Sequence, residues 1–444
     1  MLDLHVLGTS SARPTTEGAV SGSIVRTEEG LVVLDPGEGF QDRFAAARRH
    51  LRTVPGEPRL RSRRVGAVLL SHGHLDHTWG LLPWMQSSGL DGRTEPLEVA
   101  GPVAPSTLDF LEANGLNSGL PEELPTADVL RQVLVWRGLG ATGDRLGFPV
   151  RWRLGDAASG RWVGIEDDGS LRFGLDARWS PLGWAQHTLV PLVSSHSVPS
   201  CGWRVEREAG QGRVDLAQVE ALSLHEDERF RLFREGHLDR EGGRIALDDL
   251  RAEGSPALSL VVSGDTAAPG LHGPPTDLLV HEATFLDSEQ DKADAHLHST
   301  ASGAAQTAMA IGARALALTH FSARISDASA SLAEARTVLS GQLPCTTLQD
   351  GDRLRVGADG AVEHHRRRTR SRRPSGSRAG ERRVTLHGDS PHHALTAVPP
   401  SVRHAMDRIH HASVPRFVAV RSFAARLPRA RRAGAYVYVQ LLRT

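Results

Sequence analysis

The chain has 444 residues, with 52 basic and 52 acidic side chains and a formal net charge of zero, a length that admits two or three domains. Two cysteines, Cys201 and Cys345, exclude a disulfide framework and fit a reducing compartment. No apolar run approaches the ~20 residues that span a bilayer, and Met1-Leu2-Asp3-Leu4-His5 lacks the basic and apolar regions of a secretory signal, so a soluble cytoplasmic protein with no membrane association is expected.

Leu4–Leu7 reads as a short strand broken by Gly8-Thr9-Ser10-Ser11. Strands at 23–26 and 31–34 flank a turn at 27–30, and a helix is expected around 40–51. The apolar run 65–70 then delivers Ser71-His72-Gly73-His74-Leu75-Asp76-His77. Three imidazoles and a carboxylate in one turn after a buried strand are the ligands that suit zinc and its neighbours.

Residues 137–190 are rich in Gly, Arg and Trp and read as a β-rich insertion that acts as a structural cover. His196 follows the apolar run 189–193. Residues 206–256 are charged and weakly periodic and read as a protruding arm or long loop. Later strands end in Ser263-Gly264-Asp265-Thr266, His281-Glu282-Ala283-Thr284 and Thr319-His320-Phe321. A helix from about 301 to 311 lies between the last two, with Ser299 or Thr300 as its cap. Strands and helices alternate, and polar residues collect at strand ends, as in an α/β sandwich.

From 364 to 444 there are 18 arginines against three acidic residues, a net of +15, whereas 1–363 carries 34 basic and 49 acidic residues, a net of −15. The expected division is a hydrolase domain over 1–360 and an Arg/His/Pro-rich tail over 361–444 that reads as disordered.

Seven ligands from four strand ends suit a two-metal centre. His72, His74 and His196 would hold one divalent ion, and Asp76, His77 and His320 the other. Asp265 would bridge them, because a carboxylate has two oxygens to offer. Zinc suits this set best, with manganese or iron as alternatives. A water between two cations ionises near neutral pH, and both ions can stabilise a displacement at phosphorus.

The set resembles the metallo-β-lactamase superfamily, and within it ribonuclease Z, the tRNA 3′-processing endonucleases. The motifs that carry the resemblance run in the family's order over roughly 1–358. They are Leu7-Gly8-Thr9-Ser10, Asp35-Pro36-Gly37-Glu38-Gly39, the His72–His77 turn, His196-Ser197-Val198-Pro199, Ser263–Thr266, His281–Thr284, His298-Ser299-Thr300 and Thr319–Arg324. The histidine–aspartate set specifies the superfamily; the His-Glu-Ala-Thr and His-Ser-Thr pair is more specific. The resemblance implies an αββα sandwich with a protruding arm, precursor tRNA or another phosphodiester as substrate, two metal ions and a homodimer. It implies that Asp35 orders the metal loop, that Asp76 orients the attacking water, and that His298, backed by Glu282, protonates the leaving 3′ oxygen. His296, two residues before His298, lacks the following Ser-Thr. Arg324 is either a phosphate contact or a surface arginine, and His281 is either structural or functional.

Two features depart from the family. The arm of the common bacterial type has a Gly/Pro-rich tip that grips tRNA, whereas here 224–229 carries Glu226, Asp227 and Glu228. An acidic tip and an acidic body repel phosphate backbones. They leave room for a binuclear phosphodiesterase acting on cyclic nucleotides or small diesters, and for an RNA-associated protein with a vestigial site.

Overall fold

The computed structural model describes residues 1–366 and 382–386, apart from 17, 58, 117–123, 126 and 253. Two sheets pack face to face, and helices cover both outer faces, so the αββα sandwich holds. The first sheet has eleven described strands. Leu2–Gly8, Gly22–Arg26, Leu31–Leu34, Val65–Leu69 and Leu97–Pro102 are successive neighbours in it. The second has six, with Leu258–Val262, Leu278–Glu282 and Leu316–Thr319 running parallel at its centre.

The strand Leu31–Leu34 shows how the layers are encoded. Leu31 and Val33 face the outer helices, while Val32 and Leu34 face the second sheet. A strand buried on both sides reads as an unbroken apolar run because successive side chains alternate between two dry faces. Helices Phe40–Leu51, Leu81–Leu90 and Val129–Gly138 cover the first sheet, and Ala301–Ala310 with Ser329–Leu339 covers the second.

The insertion at 137–190 is an extension of the first sheet. Val150–Asp156, Arg161–Ile165 and Leu171–Phe173 continue it as its last three strands. Trp162, Trp179 and Trp203 fill the space between the sheets there, with centroids 5.6 Å apart for Trp179–Trp203 and 6.0 Å for Trp162–Trp203. Two of their indole N–H groups are bonded, Trp203 to the Leu70 carbonyl and Trp179 to Glu98, each at 2.9 Å. The tryptophans are structural filling between two sheets.

The arm is more ordered than its composition suggested. Helices Leu216–Ala221 and Glu226–Glu235, the hairpin His237–Arg240 with Gly243–Ala246, and the turn Leu247–Leu250 surround a small core. Val219, Leu232, Leu238, Leu247 and Leu250 form that core. The acidic run expected at an arm tip is the first turn of a helix. Glu226, Asp227 and Glu228 sit at its positive end, which favours anionic side chains. Glu228 also accepts from the His225 backbone N–H at 3.0 Å and pairs with Arg240.

The expected boundary at residue 360 is corrected. Val362–Arg366 pairs antiparallel with Arg353–Val356, and Arg382–Leu386 pairs with Val362–Arg366, so the first sheet runs past it. Val362 is buried against the inter-sheet core, and a strand with a dry face stays in its sheet. The remainder of the proposed tail lies outside the described residues.

A buried ion cluster ties together three neighbouring strands of the first sheet, Arg353–Val356, Leu2–Gly8 and Gly22–Arg26. Asp3, with no exposed surface, accepts from Arg26 and from Arg353 Nε and Nη2 at 2.5 and 2.7 Å. Burial raises the Asp3 pKa, but His5 and Arg353 outweigh it and hold the carboxyl well below its usual range. A depressed carboxylate contributes stability above its unfolded pKa, and that contribution fades as pH falls through the folded value. Asp3→Asn therefore costs about 3 kcal/mol at neutral pH, the low end for breaking a buried pair, because it removes the central charge from two buried guanidinium groups and leaves them Glu57, 2.7 Å from Arg353 and 3.9 Å from Arg26. Urea melts should show a constant gap to wild type above about pH 5 that narrows below about pH 4.

Candidate metal centre

Strands Leu31–Leu34, Val65–Leu69, His187–Val193, Leu258–Val262, Leu278–Glu282 and Leu316–Thr319 each release a polar residue at the same end of the sandwich. The seven expected ligands meet there. Ligand atoms of His72, His74, His196 and Asp265 lie within 4.8 Å of one another, as do those of Asp76, His77 and His320. Asp265 stands between the groups. Its Oδ1 is 3.3 Å from Nε2 of both His77 and His320, and its Oδ2 is 3.7 Å from His72 Nε2 and 4.0 Å from His196 Nε2.

Hydrogen bonds behind the rings fix their tautomers. His77 Nδ1 donates to Asp35 Oδ2 at 3.0 Å, and His196 Nδ1 to the Leu297 carbonyl at 3.0 Å. The Ser71 hydroxyl donates to Asp35 at 2.7 Å, which leaves its oxygen to accept from His72 Nδ1 at 3.0 Å. The Thr284 hydroxyl donates to Glu282 at 2.5 Å and accepts from His320 Nδ1 at 3.0 Å. With these four Nδ1 protons committed outward, the Nε2 lone pairs of His72, His77, His196 and His320 converge, and His74 faces them with its Nδ1, 2.9 Å from His72 Nε2 and 3.3 Å from His196 Nε2. Nε2 of His77 and His320 are 3.2 Å apart, and two lone pairs cannot bond each other.

Buried Asp265 Oδ1 also has no hydrogen-bond partner. Converging lone pairs and an orphaned buried carboxylate oxygen are what a cation satisfies, so the residues fit a pair of divalent ions. Burial and the neighbouring His196 push His74 down to about 4, which keeps that imidazole in the neutral form a metal needs.

The turns that hold these groups are strained. Asp35, Leu297 and His320 have φ of 46°, 53° and 59°, the left-handed region that side chains with a Cβ seldom adopt. Two glycines allow close approach. A Cβ on Gly37 would lie 2.0 Å from the Asp76 carbonyl oxygen, and one on Gly264, at φ 61°, would lie 2.4 Å from Ser71 Cβ.

His298 stands at the rim of the cluster. Its Nδ1 is 2.8 Å from Glu282 Oε1 and 3.9 Å from Asp265 Oδ2. Glu282 is held by the Thr266 and Thr284 backbone N–H groups at 3.0 and 3.1 Å as well as by the Thr284 hydroxyl. Burial lowers the His298 pKa, but the Glu282 carboxylate overrides it and lifts it to about 9. Cations at Asp265 and His320 would act against that lift.

His281 does not reach the cluster. It alternates with Glu282 along the strand, shares the helix-side face with Leu279, and bonds the Glu282 carbonyl at 2.7 Å. Arg324 is exposed beyond His320, with no ion pair among the described residues. Ser71, Thr266, Thr284 and the Leu297 carbonyl were not foreseen as orienting groups. Thr284 and Thr266 close two of the motifs, and that position was the available signal. The cavity at the centre is about 30 Å³. A groove of about 700 Å³ runs past it along Thr9, Ser10, Thr15, Phe321 and Ser322.

Residues 15–160 match the metallo-β-lactamase superfamily. Ribonuclease Z of Myxococcus xanthus is 30% identical over 347 residues, which cover 77% of this chain and 94% of that one. The chain belongs to the ribonuclease Z family. Ribonuclease Z of Halobacterium salinarum is 28% identical over 350 residues, covering 77% and 94%. Among solved structures, human tRNase Z, short form, is 20% identical with a TM-score of 0.43, covering 80% of this chain and 99% of that one. As a ribonuclease Z family member the chain is a phosphodiester hydrolase of the nuclease class. No helix among the described residues is long and apolar enough to cross a membrane.

Proposed function

We propose that the chain cleaves the 3′ trailer from precursor tRNA and leaves a 3′-hydroxyl. The observation that carries this reading is the His298–Glu282 pair, 2.8 Å apart beside the histidine–aspartate cluster, because a proton donor set next to two cations suits an alkoxide leaving group. His72, His74, His196 and Asp265 would hold one ion, and Asp76, His77, His320 and Asp265 the other. When bound, two divalent ions, zinc or alternatively manganese, supply acidified water and positive charge for displacement at phosphorus.

The protein's own groups do the rest. Asp76 Oδ2, held by the Ala12 N–H at 2.8 Å, orients the attacking water. Asp35 and Ser71 lock the His72 and His77 rings. Glu282 fixes Nδ1 of His298 and stabilises the imidazolium, so the proton on Nε2 goes to the 3′ oxygen as its bond to phosphorus breaks. The reading takes the enzyme as cytoplasmic, which two free, buried cysteines suit, and, by family resemblance, as a homodimer.

The acidic first turn of the arm helix favours one rival, a phosphodiesterase for cyclic nucleotides or small diesters. Full-length enzyme with zinc or manganese is compared on trailer-bearing tRNA, cyclic AMP and bis(p-nitrophenyl) phosphate. Single-site cleavage of the tRNA at the trailer junction is expected. Turnover of the small diesters with the tRNA left intact would favour the rival and reject the proposal.

A further inference from the structure

The short helix Leu75–Thr78 turns Asp76 and His77 inward to the metal centre and leaves large apolar groups outside. Leu75 is 54% exposed and Trp79, which caps the helix, is 58% exposed. A tryptophan is among the most costly side chains to leave in water, and the chain buries Trp84, five residues on, to 1%. Residues three and four apart are neighbours on a helix, so Trp79 lies beside both Leu75 and Asp76.

The other side of Asp76 is also defined. The loop after the first strand bonds its carboxylate through the Ala12 N–H, and the next residue is Arg13. Arg13 is exposed and makes no side-chain hydrogen bond or ion pair among the described residues. Some arginines of this acidic body are paired with acids, as Arg240 with Glu228 and Arg314 with Asp277, and others, such as Arg229 and Arg324, are as open as Arg13; what sets Arg13 apart is its place next to the residue that bonds Asp76. Asp76 thus has an exposed indole three residues along its helix and an exposed cation next to its Ala12 partner.

We infer that Trp79 and Arg13 form a nucleotide clamp at the mouth of the metal centre. The indole stacks on the base next to the scissile phosphate, and the guanidinium pairs with a neighbouring phosphate. Single-stranded RNA is held by this combination, since every base has a face to stack and every linkage a charge. The inference rests on the RNA reading above and adds to it the residues that grip the strand where it is cut. It also explains how an acidic body can hold RNA at this point, through stacking and one local cation.

The test uses full-length enzyme and trailer-bearing tRNA. Trp79→Ala should raise KM about 10-fold, with kcat changed less, and Trp79→Phe should restore most of the loss. An abasic nucleotide placed on one side of the scissile bond or the other should abolish the difference between wild type and Trp79→Ala at one of the two positions, which names the stacked base. Arg13→Ala should weaken binding and reduce the salt slope by about one ion. An unchanged KM overturns the clamp, as does a Trp79→Ala defect of equal size on both abasic substrates. A drop from dimer to monomer mass that accompanies the defect also overturns it, because the apolar surface then seats a second copy. If wild type leaves the tRNA uncut, the substrate reading fails separately. Equal affinity of wild type and Trp79→Ala for a short unstructured RNA would then reject the clamp, and weaker binding by Trp79→Ala would retain it.

Discussion

Replacing His298 with alanine lowers kcat on trailer-bearing tRNA by roughly 10²–10⁴-fold, the range a positioned general acid contributes, while bound metal stays at the wild-type level. The imidazole lies within ligand distance of Asp265 and His320, but its Nδ1 is tied to Glu282 at 2.8 Å and stands 3.9 Å from Asp265, so its removal leaves the His72–His74–His196–Asp265 and Asp76–His77–His320 groups intact. The leaving 3′ oxygen is strongly basic and departs poorly without a proton. A substrate with sulfur in place of that bridging oxygen needs no acid, and on it the variant should approach wild type. Glu282→Gln keeps the shape but removes the charge that lifts His298, so it should lose less than His298→Ala and be rescued by the same substrate. Equal defects on the oxygen and sulfur substrates would remove His298 from the role of acid.

Asp265→Ala is expected to lose more than about 10³-fold in activity, because charge stabilisation by bound ions is worth several kcal/mol and each 1.4 kcal/mol is tenfold. Its two oxygens face different histidine groups, with Oδ1 3.3 Å from His77 and His320 and Oδ2 3.7 Å from His72. One substitution should therefore weaken both sites together, read as metal per chain after gel filtration. A ligand that binds the native state raises its melting temperature. Chelator should lower the melting temperature of wild type and leave that of Asp265→Ala unchanged. A variant that retained two ions per chain would show that Asp265 is not the shared ligand.

The histidine–aspartate cluster was legible because its members sit just past apolar runs that end abruptly, the His72–His77 turn after Leu69-Leu70 and Ser71, and His320 after Leu316-Ala317-Leu318 and Thr319. The orienting groups were not. Ser71 and Thr284 are ordinary hydroxyls in sequence, and their importance lies in partners contributed by other strands, Asp35 to one and His320 to the other. His281 was left between a structural and a functional role, and strand alternation sends it to the face opposite Glu282, which favours the structural one. In the arm, charge hid order. Glu226, Asp227 and Glu228 looked like solvated loop, whereas the core of Val219, Leu232 and Leu238 folds them onto a helix start. The strand Val362–Arg366 was missed because its basic, His-rich composition masked an alternation that buries Val362 and His364.

The register at that strand carries a consequence for charge in space. Arg353 lies opposite both His5 and His365, and Arg366 opposite Arg382. The chain therefore leaves the sheet at Arg366 and returns at Arg382 on the same end that bears the metal-binding turns. Six arginines occupy the intervening 367–381. Along the chain, positive and negative halves are far apart; in three dimensions, both ends of an arginine-dense stretch are pinned to the catalytic end of the acidic half.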